Sequence, residues 1–266
     1  MADSKQEALF KMWTEHGGRV RLESIPKRVR VIFGGEVVAD STSVQMLYLP
    51  PPENGYMFPR EDVRRELLKE TELTGSTPGL GEVKVWTVEA GGQVAEAAAW
   101  TVPQPPAELE ALAGLVGFRW NSMDAWYEED DEVFVHPRDP YHRVDVLNSS
   151  RQVKVKVGRE VVAETRRPRL LFETGLPVRY YIPKIDVRLD LLEPSDTTTR
   201  CPYKGVASYW SIRAGGTLHQ DLAWTYELPI PECPKIENLV SFFNERVDID
   251  VDGVRVTRPR TPWSQD

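Results

Sequence analysis

A thiol and an amine stand three residues apart in the second half of the chain, at Cys201 and Lys204. A neighbouring ammonium favours the thiolate, which is the nucleophilic form of cysteine. Lys204 could instead bind the phosphate or carboxylate of a ligand, or pair with a carboxylate beside a small, buried Cys201. Three interpretations of the pair are therefore open. Cys201 is a nucleophile activated by Lys204, Lys204 binds an anionic ligand, or both residues are structural.

Aromatic residues before and after this pair predict a binding pocket. A small-molecule site is usually a mostly apolar cavity with a few polar groups, and aromatic rings in its wall stack on flat or cationic ligands. The alternative is that the tryptophans are core residues of a β-sheet. The residues assigned to the pocket, besides Lys204, are Tyr181, Tyr203, Trp210, Trp224 and Tyr226.

A polar segment in the middle of the chain carries two histidines, His136 and His142, together with Arg138, Asp139 and Arg143. Histidine titrates near neutral pH and a carboxylate can fix its tautomer, so an acid–base pair is one interpretation. The interpretation that we favour is structural. We expect these five residues to join two domains through hydrogen bonds and arginine–carboxylate pairs.

Three aspartates, Asp248, Asp250 and Asp252, alternate along a predicted strand, which places their carboxylates on one face. Such carboxylates could hold magnesium at a nucleoside triphosphate. No glycine-rich phosphate loop accompanies them, however. We interpret them as charges that protect an exposed edge strand from aggregation.

The elements that position these residues occur twice, because residues 29–128 align without a gap on residues 153–252, and many residues n recur at n + 124. Trp86 recurs as Trp210, and Gly91-Gly92 recur as Gly215-Gly216. Positions that are identical in both copies are explained first as scaffold. The repeat predicts two domains of about 105 to 110 residues, and a domain of that size can bury a core without disulfides or metal.

Positions that differ between the copies indicate specialisation. Thr77 and Leu80 stand where the second copy has Cys201 and Lys204. The first copy also has apolar, non-aromatic residues where the second has tyrosines, in the pairs Met57/Tyr181, Val85/Tyr209 and Val102/Tyr226. We therefore predict a single site in the second copy and a supporting role for the first.

An alternation of period two predicts an antiparallel β fold in each copy, with hairpins around glycine pairs. A short helical turn is expected to begin at Pro59 and Pro183, because proline suits the first helical position. The predicted strands are 28–33, 36–40, 45–49, 56–58, 83–88, 94–101, 115–119 and 123–127, with 169–173, 179–182, 207–213, 217–226, 239–243 and 247–251 among their counterparts. The predicted domains are an N-terminal helical region 1–21 (helix 4–16), a first copy 22–130 with a degenerate site, a linker 131–149, a site-bearing second copy 150–257 and a tail 258–266.

Composition excludes several classes of protein. A net charge of −8 and a pI near 5.2 disfavour a nucleic-acid partner, which is bound through clustered positive charge. Two isolated cysteines do not make a structural zinc site. We expect no secretory signal, because the N-terminal residues have neither a basic nor an apolar region of the required kind, and no apolar stretch of the sequence reaches membrane-spanning length. We expect a cytoplasmic protein with reduced thiols that contacts neither nucleic acid nor membrane.

Three strings resemble the family of domain of unknown function 427: Arg179-Tyr180-Tyr181-Ile182-Pro183, Cys201-Pro202-Tyr203-Lys204-Gly205 and Ala223-Trp224-Thr225-Tyr226. The resemblance covers about residues 22–257 in tandem. It implies a mainly β protein of two tandem β-tent (Mss4-like) antiparallel domains, each with one short helix. Methionine sulfoxide reductase B and the thalidomide-binding domain of cereblon share that fold, and the family also carries a nucleotidyltransferase-like label. Those fold relatives commonly hold zinc through cysteines that this chain lacks, so no metal is predicted.

Three functional hypotheses follow. In the first, the aromatic pocket of the second copy binds a small molecule of unknown identity. In the second, the protein is an enzyme that uses Cys201 as a nucleophile or redox thiol, with Lys204 tuning it, or has a nucleotidyltransferase-like activity. In the third, the paired domains are an interaction module for another protein. The sequence identifies no cofactor.

Overall fold

The computed structural model describes residues 14–15, 18–50 and 54–264, and the chain divides into two compact units between Pro137 and Arg138. The division falls inside the segment 131–149 that the sequence predicts as a linker. Of the predicted N-terminal helix over 4–16, only Thr14 and Glu15 are described, and both are helical. The rest of that prediction lies outside the described residues.

The first unit is built from antiparallel strands. They are β1 (Arg21–Ser24), β2 (Val29–Phe33), β3 (Glu36–Ser41), β4 (Gln45–Tyr48), β5 (Gly55–Pro59), β6 (Leu68–Thr77), β7 (Gly81–Ala90), β8 (Gln93–Thr101), β9 (Leu115–Phe118), β10 (Ala125–Glu128) and β11 (Asp131–Glu132). They form a seven-stranded sheet in the order β1-β4-β5-β9-β8-β7-β6 and a four-stranded sheet in the order β11-β10-β2-β3.

The second unit repeats this architecture. Its strands are β12 (Val144–Asn148), β13 (Val153–Val157), β14 (Glu160–Thr165), β15 (Arg169–Glu173), β16 (Arg179–Pro183), β17 (Leu192–Cys201), β18 (Gly205–Ala214), β19 (Thr217–Pro229), β20 (Leu239–Phe242), β21 (Asp248–Val251) and β22 (Val254–Arg255). The two sheets run β12-β15-β16-β20-β19-β18-β17 and β14-β13-β21-β22. The strand orders match those of the first unit, so the sequence repeat is a repeat of complete folds.

The predicted hairpins are confirmed, and two long strands were not predicted. Strands β2 and β3 pair across Gly34-Gly35, and β7 and β8 pair across Gly91-Gly92. The missed strands are β6 and β17, which pair with β7 and β18. Each is interrupted by a register shift, between Glu70 and Thr74 in β6 and between Pro194 and Thr198 in β17, so neither has an unbroken alternation.

The short helix expected after Pro59 and Pro183 is a pair of 3-10 turns in each unit. The chain leaves the first turn because Val63 and Val187 are extended, with φ of −111° and −112°, and each bridges to a strand of the four-stranded sheet. The turns are Arg60–Asp62 and Arg65–Leu67 in the first unit and Lys184–Asp186 and Leu189–Leu191 in the second. Further 3-10 segments are Ala107–Gly114, Trp120–Ser122 and Pro234–Ile236.

The seven-stranded sheet of the second unit has a core on each face. Side chains alternate across the pleat, so Ile182 packs with Ile212 and Phe242 in the core shared with the four-stranded sheet, which we call the inner core. The neighbouring Tyr181 packs on the opposite face with Leu171 and other residues. This outer core also contains Cys233 and Ile236, from the segment that follows β19. The candidate site lies on this outer face.

Candidate functional site

The turn between β17 and β18 directs Lys204 into the outer face of the second unit. The Lys204 N–H donates to the Cys201 carbonyl at 3.3 Å, and the Ile230 N–H donates to the Lys204 carbonyl at 3.1 Å. Gly205 has φ of +106°, and a Cβ there would lie 3.2 Å from the Leu228 carbonyl oxygen. The glycine therefore lets the turn lie close to the end of β19, and Lys204 is only 8% exposed.

Lys204 is paired with Glu173, the last residue of β15. The ammonium nitrogen lies 2.5 Å from Oε1 and 2.6 Å from Oε2 of the carboxylate, and the two side chains are 10% and 5% exposed. Of the three sequence interpretations of Lys204, this geometry corresponds to pairing with a carboxylate. Glu173 was not among the predicted site residues.

His142 also contacts Glu173. Its Nε2 lies 3.0 Å from Glu173 Oε1. Its ring stacks on the ring of Tyr203, with centroids 4.1 Å apart and planes at 16°. The Tyr203 hydroxyl accepts a hydrogen bond from the Asp139 N–H at 2.7 Å. We call His142, Glu173, Tyr203 and Lys204 the ion-pair cluster.

The charge state of the cluster follows from its contacts. Burial alone would raise the pKa of Glu173, but the hydrogen bond with His142 and the charge of Lys204 together hold that pKa below its usual value. Glu173 is therefore a carboxylate at neutral pH. Burial raises the pKa of the Tyr203 hydroxyl, which stays protonated.

Two cysteines belong to this region and differ in exposure. Cys201 is half-buried, whereas Cys233 is 2% exposed and packs in the outer core. Burial raises the pKa of Cys233 to about 11, so its sulfur is a thiol at neutral pH. Cys233 was not predicted as a site residue.

The predicted aromatic pocket is divided between the two faces of the sheet. Tyr181, Trp224 and Tyr226 are buried together in the outer core, where the Trp224 Nε1–H donates to the Tyr181 hydroxyl at 3.1 Å. Burial raises the pKa of both tyrosine hydroxyls. Trp210 instead packs on the inner core, and its Nε1–H donates to Thr225 Oγ1 at 3.2 Å. The structure does not bring Trp210 to the other predicted residues.

A second buried ion pair lies beneath Trp224 and was also missed. Arg179 donates to both oxygens of Glu245 at 2.7 Å, and the carboxylate is fully buried. Burial works to raise the pKa of Glu245, but the hydrogen bonds from Arg179 and Thr261 lower it. The guanidinium carbon lies 5.5 Å from the centroid of the Trp224 ring, which places a cation against the indole.

Four of the five residues expected to join the domains make their described contacts within the second unit. Asp139 and His142 contact the ion-pair cluster, as given above. Arg138 lies 3.5 Å from Glu232, and Arg143 pairs with Asp145 at 2.8 Å. His136 Nδ1 lies 2.8 Å from the neighbouring Pro137 carbonyl oxygen. The inter-domain role of this segment stays a prediction.

The three alternating aspartates are already paired with cations. Asp248 contacts Arg255 and Arg258, Asp250 contacts Lys156 and Arg255, and Asp252 contacts Arg151. The hydrogen bonds from Arg255 and Lys156 lower the pKa of Asp250 to about 2. Within the described ranges, no group of three or more His, Cys, Asp or Glu side chains is arranged to hold a metal ion.

The first unit closes the equivalent face with apolar side chains. Leu49 stands at the position of Glu173 and Leu80 at that of Lys204, and they are 6% and 1% exposed. Met57, Val102 and Leu109 take the places of Tyr181, Tyr226 and Cys233, and all five belong to one apolar core. The change from Leu49 to Glu173 at matched positions was a signal for Glu173 in the sequence, whereas Cys233 replaces Leu109 within a core and gave no comparable signal.

The comparisons with known proteins agree with the tandem fold. The family model described as a domain of unknown function (DUF427) matches residues 21–129 and again residues 145–253. No curated protein matches the chain. In the part of the chain that the structure describes, no helix has the length and apolar character needed to cross a membrane.

Proposed function

Because the chain belongs to the DUF427 family in two tandem copies, we propose that its second copy binds a small molecule at the ion-pair cluster and that its first copy is the structural support. The ligand enters where the cluster meets solvent. His142 has a side chain 20% exposed, and Tyr203 and Cys201 are half-buried beside it. Glu173 and Lys204 form the polar floor.

One observation carries this proposal: the first unit forms the same fold with two leucines at the positions of the ion pair. Removing two charges from water costs several kcal/mol per ion, and packed apolar residues of similar volume are often as stable or more stable. The first unit has that apolar solution in Leu49 and Leu80. A buried pair that the second unit keeps at the same positions is therefore best explained by a ligand that uses it.

The cluster also limits the chemistry of the ligand. Lys204 has three N–H groups, and two oxygens of Glu173 lie within hydrogen-bonding distance of its nitrogen. The third N–H can donate to an acceptor on the ligand, such as a carboxylate or phosphate oxygen. The stacked rings of His142 and Tyr203 offer a flat, partly apolar surface next to it.

The proposal is tested by a thermal-shift screen of the wild-type protein and of a Glu173→Leu/Lys204→Leu double variant. The panel contains nucleotides, sugar phosphates and amino-acid derivatives. A ligand at about 100 times its Kd stabilises the native state by about 2.7 kcal/mol. We expect a compound that raises the Tm of the wild type and not that of the double variant.

Either of two outcomes would contradict the proposal. A stabilising compound that acts equally on the double variant places the binding elsewhere. A blank screen, with both proteins folded, removes the support for small-molecule binding and favours the interaction module, which a pull-down experiment would then address.

A second candidate function is an enzyme in which Cys201 reacts with the bound molecule. The observation that favours it is the different exposure of the two thiols, because Cys201 is half-buried beside the cluster and Cys233 is buried. Cys201→Ser separates the two functions. It should leave the thermal shift intact if the site only binds, and should abolish turnover of the same compound if the thiol is the nucleophile.

A further inference from the structure

The first unit contains a cavity of about 180 Å³ that lies on the inner-core side of its sheet. The opposite side of this sheet is the apolar face equivalent to the ion-pair cluster. Three buried residues, Val63, Thr101 and Val116, form the cavity floor. Trp86 and Leu68, both half-buried, form its wall. This cavity is thus separate from the site proposed above and belongs to the other copy.

The indole of Trp86 is held in place at this wall. Its Nε1 lies 3.5 Å from the Thr101 hydroxyl oxygen. Lys84 Nζ lies 5.0 Å from the ring centroid and is not among the lining residues. A fixed, partly exposed indole next to aliphatic side chains favours a flat apolar ligand.

Two arginines, Arg60 and Arg65, stand at the rim of the cavity and are exposed. Within the described residues, neither guanidinium has an ion-pair partner, whereas Arg64 between them binds Glu36 and Glu66. The described residues that line the cavity include no carboxylate. Guanidinium groups bind carboxylates through paired N–H donors, so the rim is suited to an organic anion.

We propose that this cavity binds a small aromatic carboxylate, with the ring against Trp86 and the carboxylate at Arg60 and Arg65. Sites for drug-sized ligands have about 300–1,000 Å³, so a cavity of about 180 Å³ is suited to a single ring and not to a nucleotide. The Trp86 end of the cavity thus favours an apolar ring, and the arginine end favours a negative charge on the same molecule.

The second unit has a cation at only one of the two matched rim positions. Trp210 and Thr225 repeat Trp86 and Thr101, but Lys184 replaces Arg60 and Leu189 replaces Arg65. Leu192, which corresponds to Leu68, is buried. The pair of guanidinium groups is therefore a property of the first copy, and the second copy supplies matched controls.

The experiment is a fluorine-19 NMR titration with 4-fluorobenzoate as the probe and 4-fluorobenzyl alcohol as its neutral counterpart. We expect the wild-type protein to broaden and shift the benzoate signal in a saturable way, and to bind the alcohol more weakly. An Arg60→Gln/Arg65→Gln variant should bind the benzoate about tenfold more weakly or worse, since hydrogen bonds to charged groups are lost. Both arginines are exposed, so this variant should fold normally.

Two further variants make the result specific. Lys184→Gln, at the matched position of the second unit, should bind 4-fluorobenzoate like the wild type. Glu173→Leu/Lys204→Leu should also bind it like the wild type, which separates this site from the proposed function. The proposal is overturned if the wild type shows no saturable binding, if the double arginine variant binds equally well, or if the alcohol binds as tightly as the benzoate.

Discussion

Lys204 and Glu173 form a buried ion pair in which the ammonium nitrogen lies 2.5 Å and 2.6 Å from the two carboxylate oxygens. The first unit has Leu80 and Leu49 at the same two positions, also buried. One fold therefore packs a charged pair and an apolar pair at equivalent places. This contrast separates what the fold requires from what the second copy adds.

We expect the two single variants Glu173→Leu and Lys204→Leu to destabilise the protein much more than the double variant. Each single change leaves a buried charge without its partner, which typically costs about 3–5 kcal/mol, whereas apolar replacement of both is often neutral or stabilising. Urea unfolding measures the difference. The exposed pair Arg188–Asp190 is the control, and Arg188→Ala should change stability by less than about 1 kcal/mol. Equal losses in the singles and the double would contradict this explanation.

We expect the second unit to lose stability on acidification through Glu173. Its pKa lies below the ordinary value of 4.5 in the folded protein. The resulting stabilisation is present above the unfolded-state pKa and is lost as the pH falls through the folded-state pKa. Between pH 5 and pH 3 the Tm of the wild type should therefore fall more than that of the Glu173→Leu/Lys204→Leu variant. Parallel falls in the two proteins would show that Glu173 is not responsible.

We expect iodoacetamide to label Cys201 well before Cys233 in the native protein. Cys233 is buried, and burial raises the pKa of its thiol to about 11. At pH 7.5 Cys233 is therefore almost entirely in the thiol form, which reacts slowly. Intact mass followed by peptide mapping measures the order of labelling. Cys201→Ser should abolish fast labelling, and denaturant should restore labelling at Cys233. Similar rates at both sulfurs in native protein would disprove the difference in environment.

We expect Gly117→Ser to destabilise the first unit by about 1–3 kcal/mol, the usual cost of overpacking. A Cβ at Gly117 would lie 2.5 Å from the Trp100 ring. The matched position in the second unit is Ser241, which is fully buried and whose hydroxyl has no partner among the described residues. Ser241→Ala is the control and should be neutral or slightly stabilising. Thermal unfolding measures the stability of the two variants. An unchanged Tm for Gly117→Ser would contradict the prediction.

Much of the fold could be predicted because the local turn and strand patterns indicate the same elements in both copies of the repeat. The turns at Gly34-Gly35 and Gly91-Gly92 are glycine pairs with positive φ, and each lies between alternating residues. Strands β6 and β17 could not be predicted in this way. Their side chains are largely exposed and their alternation is broken by register shifts.

The separation of Trp210 from Trp224 follows from the register of β18 and β19. Ala214 pairs with Thr217 across a two-residue turn, so even-numbered residues on β18 pair with odd-numbered residues on β19. That register alone would pair Trp210 with Asp221. A register shift between Trp210 and Ile212 instead makes Ala223 its partner, and Trp224 pairs with Tyr209. Because neighbouring side chains alternate, two even-numbered tryptophans on these strands point to opposite faces.

Part of the site could be predicted and part depended on tertiary contacts. Cys201, Tyr203 and Lys204 stand out because the first copy lacks them. The pairing of Lys204 with Glu173 joins strands that are distant in sequence, and no local pattern indicates which carboxylate is the partner. His142 was singled out, but its contact with Glu173 rests on the path of residues 139–142 over the turn.

The gap-free correspondence of the two copies gives the molecule an internal reference. Most described backbone amides of the first copy have a counterpart 124 residues later, measured in the same sample at the same pH and temperature; Val44 and Glu70 are among the exceptions, because their counterparts are Pro168 and Pro194. Because both amides experience the same solution conditions, the ratio of their hydrogen-exchange rates does not depend on errors in pH or temperature. It reports local opening in one copy relative to the other. For Leu80 and Lys204, that ratio, divided by the ratio of their intrinsic exchange rates, would measure whether the charged face opens more often than the equivalent apolar face.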